Sequence, residues 1–498
     1  MSILEFLTRE NDKMEGKMKE EAAQKKVKLP VVIFILASIA FVVPSIIYLI
    51  QNKSIYRFTW VWTYLFRFPT TSSERMVNAI MFFALITILF LAYILIAKKH
   101  KQIFKSKKQI FILIAIVSVL FAVIIPYTST DVYSYIANGW SAAHYGENPY
   151  YVSTGEIVDS TGQNEPMFNK VANCWRYETV VYGPLWTAIC TILSWLSFGN
   201  IDVALIIFKL ANLIVHLINC VLVYKITRKK IFLILYGLNP FILFEALSNV
   251  HNDIFIILFI LLAIYFTIRK KNLFIAVAFV ALATAIKYLA ILILPFIIIY
   301  YVREKNVKQR IIYCIICGIE YIAIIALFYA FYMKDLSVFA GLFMQQGKYN
   351  RSIFYILYEY LETGTVQIIQ TVCLGIFALG YAYVCIRLLL QKEIRFYQVI
   401  KKYNVILLIF TFILITNFNA WYIMWLFPTM FWLKSKSQET ILALSYSSQI
   451  ANFASFALWS EEAWLGIPYL AIMLIGAGVI KLLNTKVEKN KDGKLKVI

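Results

Sequence analysis

The sequence predicts an all-α polytopic membrane protein, on three observations. Hydrophobic residues make up 61% of the chain and its mean hydropathy is +0.73, whereas soluble domains carry about 45–50% apolar residues. Apolar runs of membrane-spanning length recur from Leu29 to Leu483. Lys and Arg gather in the short segments between those runs, as the positive-inside bias requires. The same distribution excludes a nucleic-acid partner: the net charge is +21, yet it forms neither a basic helix nor a basic stripe interleaved with aromatics.

Taken in order, residues 1–29 read as a cytoplasmic basic segment. The first apolar run that follows is long enough to span, so it reads as a retained anchor rather than a cleavable signal. The runs lie at 30–50, 76–97, 109–126, 203–224, 231–248, 253–268, 272–286, 288–302, 311–332, 366–386, 403–418, 420–433, 440–458 and 464–482, which predicts 13 to 14 transmembrane helices. Several are shorter than the usual span of about 20 residues, which tilt or burial within protein can accommodate. With the N-terminus inside, 37 of the 48 Lys and Arg fall on the cytoplasmic side and 9 outside, which fixes the expected orientation. The expected domains are then a transmembrane module over 30–435 with outer loops 127–200 and 333–365, C-terminal transmembrane helices over 436–483, and a cytoplasmic basic tail over 484–498. The stretch Tyr182–Phe198 would invert every later loop if it crossed, so it is expected to lie in the outer interface with Trp186 and Trp195 at headgroup depth.

The cysteines do not suggest a disulfide framework. Six of the seven fall in apolar segments, and Cys314-x-x-Cys317 lies inside an apolar run with no second pair, so buried small residues are the reading there.

Candidate chemistry gathers on the outer side. Asp131 follows the run that ends at Pro126 and opens a stretch able to form an amphipathic helix stopped by Gly146 and Pro149. Ser129, Thr130 or Asp131 itself could cap that helix, and an ionised Asp131 is also what a general base for a hydroxyl needs; the two readings are compatible. Arg176 and Glu178 are either solvated loop charges or site residues, and Gly183-Pro184 after Tyr182 is a turn. Glu245, His251 and Asp253, with Asn249 and Asn252, crowd nine lipid-adjacent residues, more polarity than capping needs, which points to a polar site on the outer face. No partner His stands at ligand spacing, so no metal is expected. Lys287 is expected at the outer turn of two short helices, either snorkelling or meeting an anionic phosphate. Lys209 and Arg351 are weaker candidates of the same kind. Asn417–Trp425, with Trp421 and Tyr422, is an aromatic-rich outer turn that suits a membrane belt or stacking on a sugar or isoprene chain.

The order of these motifs resembles a known family. Asp131, Gly146-Glu-Asn-Pro-Tyr150, Tyr182-Gly-Pro-Leu185, Asn239-Pro240 before His251-Asn-Asp253, Lys287 in a hairpin, and Trp421-Tyr-x-x-Trp425 occur in that sequence. The chain thus looks like a GT-C superfamily integral-membrane glycosyltransferase, most similar to the bacterial polyprenol-phosphate-mannose-dependent mannosyltransferases, from about residue 109 to 435. The resemblance implies a GT-C-like bundle, a sugar donor on a polyprenyl phosphate, a glycan or glycolipid acceptor, inversion at the anomeric carbon, no cofactor, and a plasma-membrane enzyme whose active site is extracytoplasmic. By residue it implies Asp131 as the catalytic base, His251 and Asp253 lining the site, and Lys287 beside the donor phosphate. Arg351 or Arg176 would assist Lys287, and Tyr182, Glu245, Trp421 and Tyr422 would bind substrate. Val132 follows Asp131 where other branches carry a second acidic residue, which leaves donor identity open and weakens the case for a metal. The competing readings are a flippase or transporter for a lipid-linked saccharide, against which no internal repeat is visible, and an envelope polymerase or ligase using a pyrophosphate-linked donor.

Overall fold

A computed structural model of the chain describes residues 27–47, 50, 72–126, 128–162, 165–391, 393–457, 473–478, 487–489 and 495–497. Most of the basic segment 1–29, most of the segment 51–75 and most of the run 464–482 lie outside the described residues. In the basic tail, Val487–Lys489 pairs antiparallel with Leu495–Val497. The rest is helical, and helices stand at the thirteen other apolar runs.

Among the described residues, six helices are long and apolar enough to cross a membrane: Val27–Ile47, Ile80–Ile103, Ile201–Thr227, Val307–Tyr329, Thr363–Leu390 and Phe396–Leu414. The pair Lys230–Gly237 and Pro240–Ser248, bent by 42°, makes a seventh if it is one broken span. The chain is a multi-pass α-helical membrane protein; among the described residues, fewer helices reach spanning length than the 13 to 14 expected from hydropathy. Short apolar helices such as Leu273–Thr284 and Tyr288–Val302 bury one face in the protein, with Ala276, Val277, Val280, Ile293 and Phe296 fully buried, while Phe274, Ile275 and Ile291 stay exposed.

Local chemistry sets the helix ends. Ser106 and Gln109 form a capping box where the basic loop 98–108 meets the helix Lys107–Val123. Asn200, Asn272 and Asn306 cap the helices that follow them. Asn239 and Pro240 break the bent pair: Asn239 Oδ1 accepts from the Phe241 amide and Pro240 takes the first helical turn. The helix then widens into a π-helical stretch, Leu243–Ser248, of the kind common at functional sites.

The segment 128–200 is a packed layer. The helix Asp131–His144 forms as expected and ends before Gly146, whose φ of +68° suits glycine. It lies against Pro184–Trp195, a 12-residue helix launched by Gly183-Pro184 and too short to cross. Contact is so close that a Cβ on Gly139 would stand 2.2 Å from the Cys190 carbonyl oxygen. Trp195 is 60% exposed and fits an interfacial depth. Trp186 does not: it is buried among Tyr135, Phe208 and Phe255, so it belongs to the core rather than to an aromatic belt. Ser153 and Glu156 make a capping box for Thr154–Thr161, and the Ser153 backbone and hydroxyl bonds hold the Glu156 carboxyl below its usual range. Asn148 Nδ2 donates to Tyr332 O (2.7 Å) and the Val180 amide to Pro149 O (2.9 Å). The Glu147–Tyr150 stretch therefore ties the segment to the end of the run 311–332 as well as to itself.

Candidate active site

Asp131 is the first residue of its helix, and Thr130 at the N-cap position makes no side-chain capping bond. Ser129 Oγ accepts the Asp131 amide at 3.2 Å, so the turn is held by Ser129 and the Asp131 carboxylate is not used as a cap. That carboxylate is 20% exposed, with Oδ2 3.7 Å from His251 Nδ1.

His251 is fully buried and lies between two carboxylates, with Nε2 3.4 Å from Glu245 Oε2. Its ring stacks on Trp421 at 3.9 Å between centroids. The backbone turns His251 inward through Val250, whose φ of +62° is an outlier for a β-branched residue, strain of the kind that collects at functional sites. Glu245 sits in the π-helical stretch, fully buried, and accepts from Asn249 Nδ2 (2.8 Å) and Gln449 Nε2 (2.6 Å). Asn249 also clasps Thr128, through its amide and its hydroxyl, and so fixes the chain just before Asp131 over the polar cluster.

The second charged pair joins two helix starts. Asp253 opens Asp253–Tyr265 and Lys287 precedes the turn Tyr288–Ile293. Lys287 Nζ bonds Asp253 Oδ1 at 3.0 Å and faces the rings of Tyr422 (4.8 Å), Trp425 (5.1 Å) and Tyr182 (5.8 Å). Trp425 Nε1 donates to the same carboxylate oxygen. Lys287 is therefore not snorkelling: it is clamped by one carboxylate and three aromatic rings. Tyr182 reaches it because Gly183 docks on Ala285 and Ile286, its amide donating to Ile286 O at 3.0 Å. A Cβ on Gly183 would meet Ala285 O at 2.3 Å. Burial, and after it the Asp131 charge, holds the Tyr182 phenol well above its ordinary value, so it stays neutral.

These groups border a cavity of about 610 Å³. Asp131, Lys287 and Arg351 bring its charges, Tyr182, Trp421, Tyr422 and Trp425 its aromatic wall, and Phe410, Leu414 and Ile415 an apolar flank. Arg351 arrives because the loop 333–365 is sewn to the aromatic turn: the Asn350 amide donates to Thr416 O and the Phe418 amide to Asn350 O, both at 2.9 Å.

Not every expected residue faces this space. Glu245, His251 and Asp253 are wholly buried behind the wall and do not line the cavity; they brace Asp131, Lys287 and Trp421. Arg176 does not line it either. It ends the short helix Asn173–Arg176, and its carbonyl accepts from Thr154 Oγ1 at 3.0 Å. Lys209 is committed elsewhere: its buried Nζ donates to the carbonyls of Ile124, Leu247 and Ser248. Glu178 is no solvated loop charge, since it pairs with Lys348 at 2.8 Å, and Lys348 lies 4.8 Å from the Trp175 ring. Sequence reading also missed Trp425 as a partner of Asp253 and Gln449 as a partner of Glu245. Among the described residues, no group of three or more His, Cys, Asp or Glu could hold a metal ion.

Comparison with known proteins agrees with the resemblance. The chain is 26% identical to the alpha-(1->6)-mannopyranosyltransferase A of Corynebacterium glutamicum over 189 residues, 37% of this chain and 36% of that protein. It is 23% identical to the enzyme of the same name from Mycobacterium tuberculosis over 193 residues, 37% of this chain and 35% of the relative. The chain thus matches about a third of the length of these curated relatives. No solved structure matches. A family model described as the N-terminal domain of alpha-(1->6)-mannopyranosyltransferase covers residues 35–303, a span that includes Asp131, Tyr182, Glu245, His251, Asp253 and Lys287. With more than half of its length under that model, the chain belongs to the alpha-(1->6)-mannopyranosyltransferase family.

Proposed function

We propose that the protein transfers a mannosyl residue from a polyprenyl-phosphate donor to an acceptor hydroxyl at the extracytoplasmic face of the membrane, with inversion at the anomeric carbon. The observation that carries this reading is the cavity itself. A carboxylate, two cations and an aromatic wall border one space beside helices of membrane-spanning length, Thr363–Leu390 and Phe396–Leu414. Asp131 follows the end of a helix whose other end carries Lys105, Lys107 and Lys108, which supports an outer location by the positive-inside bias.

The chemistry follows from the positions. Asp131 takes the proton as the acceptor oxygen bonds to the anomeric carbon. The bond from that carbon to the phosphate oxygen breaks on the opposite side, and its electron pair leaves with the lipid phosphate. Lys287 and Arg351 take up the charge gathering there. A monophosphate leaving group needs no more than such cations, so no metal or cofactor is invoked. Tyr182, Trp421 and Tyr422 bind the sugar and the first isoprene units. Glu245, His251 and Asp253 act from behind as positioning residues.

The donor can be tested directly. Purified protein in liposomes is supplied with a mannoside acceptor and either polyprenyl-phosphate mannose or a nucleotide-linked mannose. Transfer from the lipid-linked donor alone is expected. Transfer from the nucleotide sugar at an equal or higher rate would refute the donor class.

A further inference from the structure

A lysine buried inside a membrane-spanning helix is costly unless its nitrogen is fully used. Lys209 lies in the helix Ile201–Thr227 and is only 6% exposed. Its Nζ donates to three carbonyls, Ile124 O (2.7 Å), Ser248 O (2.9 Å) and Leu247 O (3.1 Å). Those carbonyls belong to two chain ends. Ile124 caps the helix Lys107–Val123, and Leu247 and Ser248 close the π-helical stretch Leu243–Ser248, so no following turn satisfies them. From this joint the two segments run together toward the cavity. Ser248 Oγ donates to Ile125 O at 3.3 Å, the Thr128 amide donates to Asn249 Oδ1 at 3.0 Å, and Asp131 and His251 meet 3.7 Å apart. On the same face of the helix, Asn212 Nδ2 donates to Ala246 O at 2.7 Å and to His251 O at 3.2 Å.

We propose that Lys209 is a positioning residue for the base: it fastens together the two segments that carry Asp131 and His251, and so sets how the Asp131 carboxylate meets the acceptor hydroxyl. The proposal rests on the function proposed above. Three carbonyls converging on one point need three N–H donors on one atom, which an ammonium has and no neutral side chain has. A guanidinium spreads its donors over a wider planar fork. Neither Lys209 nor Asn212 lines the cavity, so Lys209 acts through backbone placement and not through contact with substrate. The cavity's own cations are held by other partners: Lys287 by Asp253, and the chain at Arg351 by the bonds of Asn350 to Thr416 and Phe418. The donor phosphate therefore keeps its binding groups when Lys209 is lost. Arg310 makes a like joint elsewhere. It too is buried, and it donates to the carbonyls of Leu389, Gln391, Arg303 and Lys305, none of which lines the cavity.

The test compares the full-length wild type with Lys209→Met, Lys209→Gln and Arg310→Met. Amide hydrogen exchange in detergent is read by mass spectrometry over residues 124–133 and 244–253. In Lys209→Met it is expected to quicken at least about tenfold, because three buried carbonyls lose their donor, and in Arg310→Met to stay at the wild-type rate. In liposomes with polyprenyl-phosphate mannose and octyl α-mannopyranoside, kcat for Lys209→Met is expected to fall about 10–10²-fold, as for a reacting group displaced by about 1 Å. The donor KM is expected to stay within about twofold, since the groups that bind the donor are untouched. Lys209→Gln keeps two donors and is expected to fall between on both readings, so it carries the comparison if Lys209→Met does not fold. Arg310→Met is expected to lose melting temperature and keep the wild-type kcat. Unchanged exchange over both segments, faster exchange with an unchanged kcat, or an equal loss of kcat in Arg310→Met would overturn the proposal. A wild type that transfers nothing from the lipid donor would instead overturn the proposed function; the exchange comparison needs no substrate and would still decide whether Lys209 fastens the segments.

Discussion

Replacing Lys287 by Met separates what the lysine does for the fold from what it does for the reaction. Asp253 is fully buried, its Oδ2 has no hydrogen-bond partner, and its Oδ1 is held by Lys287 and by the Trp425 indole. Lys287 is itself only 17% exposed, so the pair is shielded from solvent. Removing the ammonium leaves a buried carboxylate with one neutral donor, and breaking a buried pair in this way costs about 3–5 kcal/mol. Loss of the contacts to Tyr422 and Trp425 adds to this, each cation–π contact contributing about 0.5–2 kcal/mol. Lys287→Met is therefore expected to lower the melting temperature of the detergent-purified protein sharply. Lys287→Met with Asp253→Asn removes the stranded charge and is expected to recover most of that loss. Transfer should fail in both, by about 10²–10³ as for loss of one group stabilising developing negative charge. A single variant as stable as the wild type would refute the buried pair, and a double variant transferring near the wild-type rate would refute the phosphate role.

Other substitutions probe the remaining parts. His251→Gln takes away the group between Asp131 and Glu245 and is expected to lower kcat by about tenfold or more with the donor KM little changed, measured by initial rates; an unchanged kcat contradicts a positioning role. Trp425→Phe removes the indole donor to Asp253 and should cost about 1–3 kcal/mol of stability, read as a fall in melting temperature. Gly139→Ala pushes a methyl group into the Cys190 carbonyl. Because backbone on both sides must move, the cost should reach or exceed the ~1–3 kcal/mol of ordinary overpacking, seen as reduced yield of monodisperse protein. Gly146→Ala meets no atom within 4 Å and pays only for its positive φ, about 1 kcal/mol, so it should melt closer to the wild type than Gly139→Ala does.

Much of the architecture was legible because bilayer physics writes directly into sequence. Clusters such as Lys225–Lys230 and Arg269–Lys271 mark turns on one side, and the helix Asp131–His144 announced itself by its amphipathic pattern and by Gly146. Lys287 stood out as a charge in thirty mostly apolar residues. Hydropathy could not say which apolar runs form helices too short to cross, so Leu273–Thr284 read as a span, and it could not separate a belt tryptophan from a core one, as with Trp186. Side-chain partners were the least legible. His251 meets Trp421, Asp253 meets Trp425 and Glu245 meets Gln449 across more than 160 residues of chain, and no local pattern encodes such pairings. Sequence reading put His251 and Asp253 at the substrate. The fold puts them one layer behind, where full burial makes them braces.

The central claim is that Asp131 is the base of a lipid-phosphate-dependent mannosyl transfer. Its most direct test is the initial rate of transfer from polyprenyl-phosphate mannose to octyl α-mannopyranoside in liposomes, for the wild type and for Asp131→Asn reconstituted at equal amounts. Asparagine keeps the size of the side chain and cannot accept the proton, so the expected result is a fall of at least about 10²–10⁴ with an unchanged melting temperature. An Asp131→Asn protein that folds normally and transfers mannose at the wild-type rate would contradict the claim.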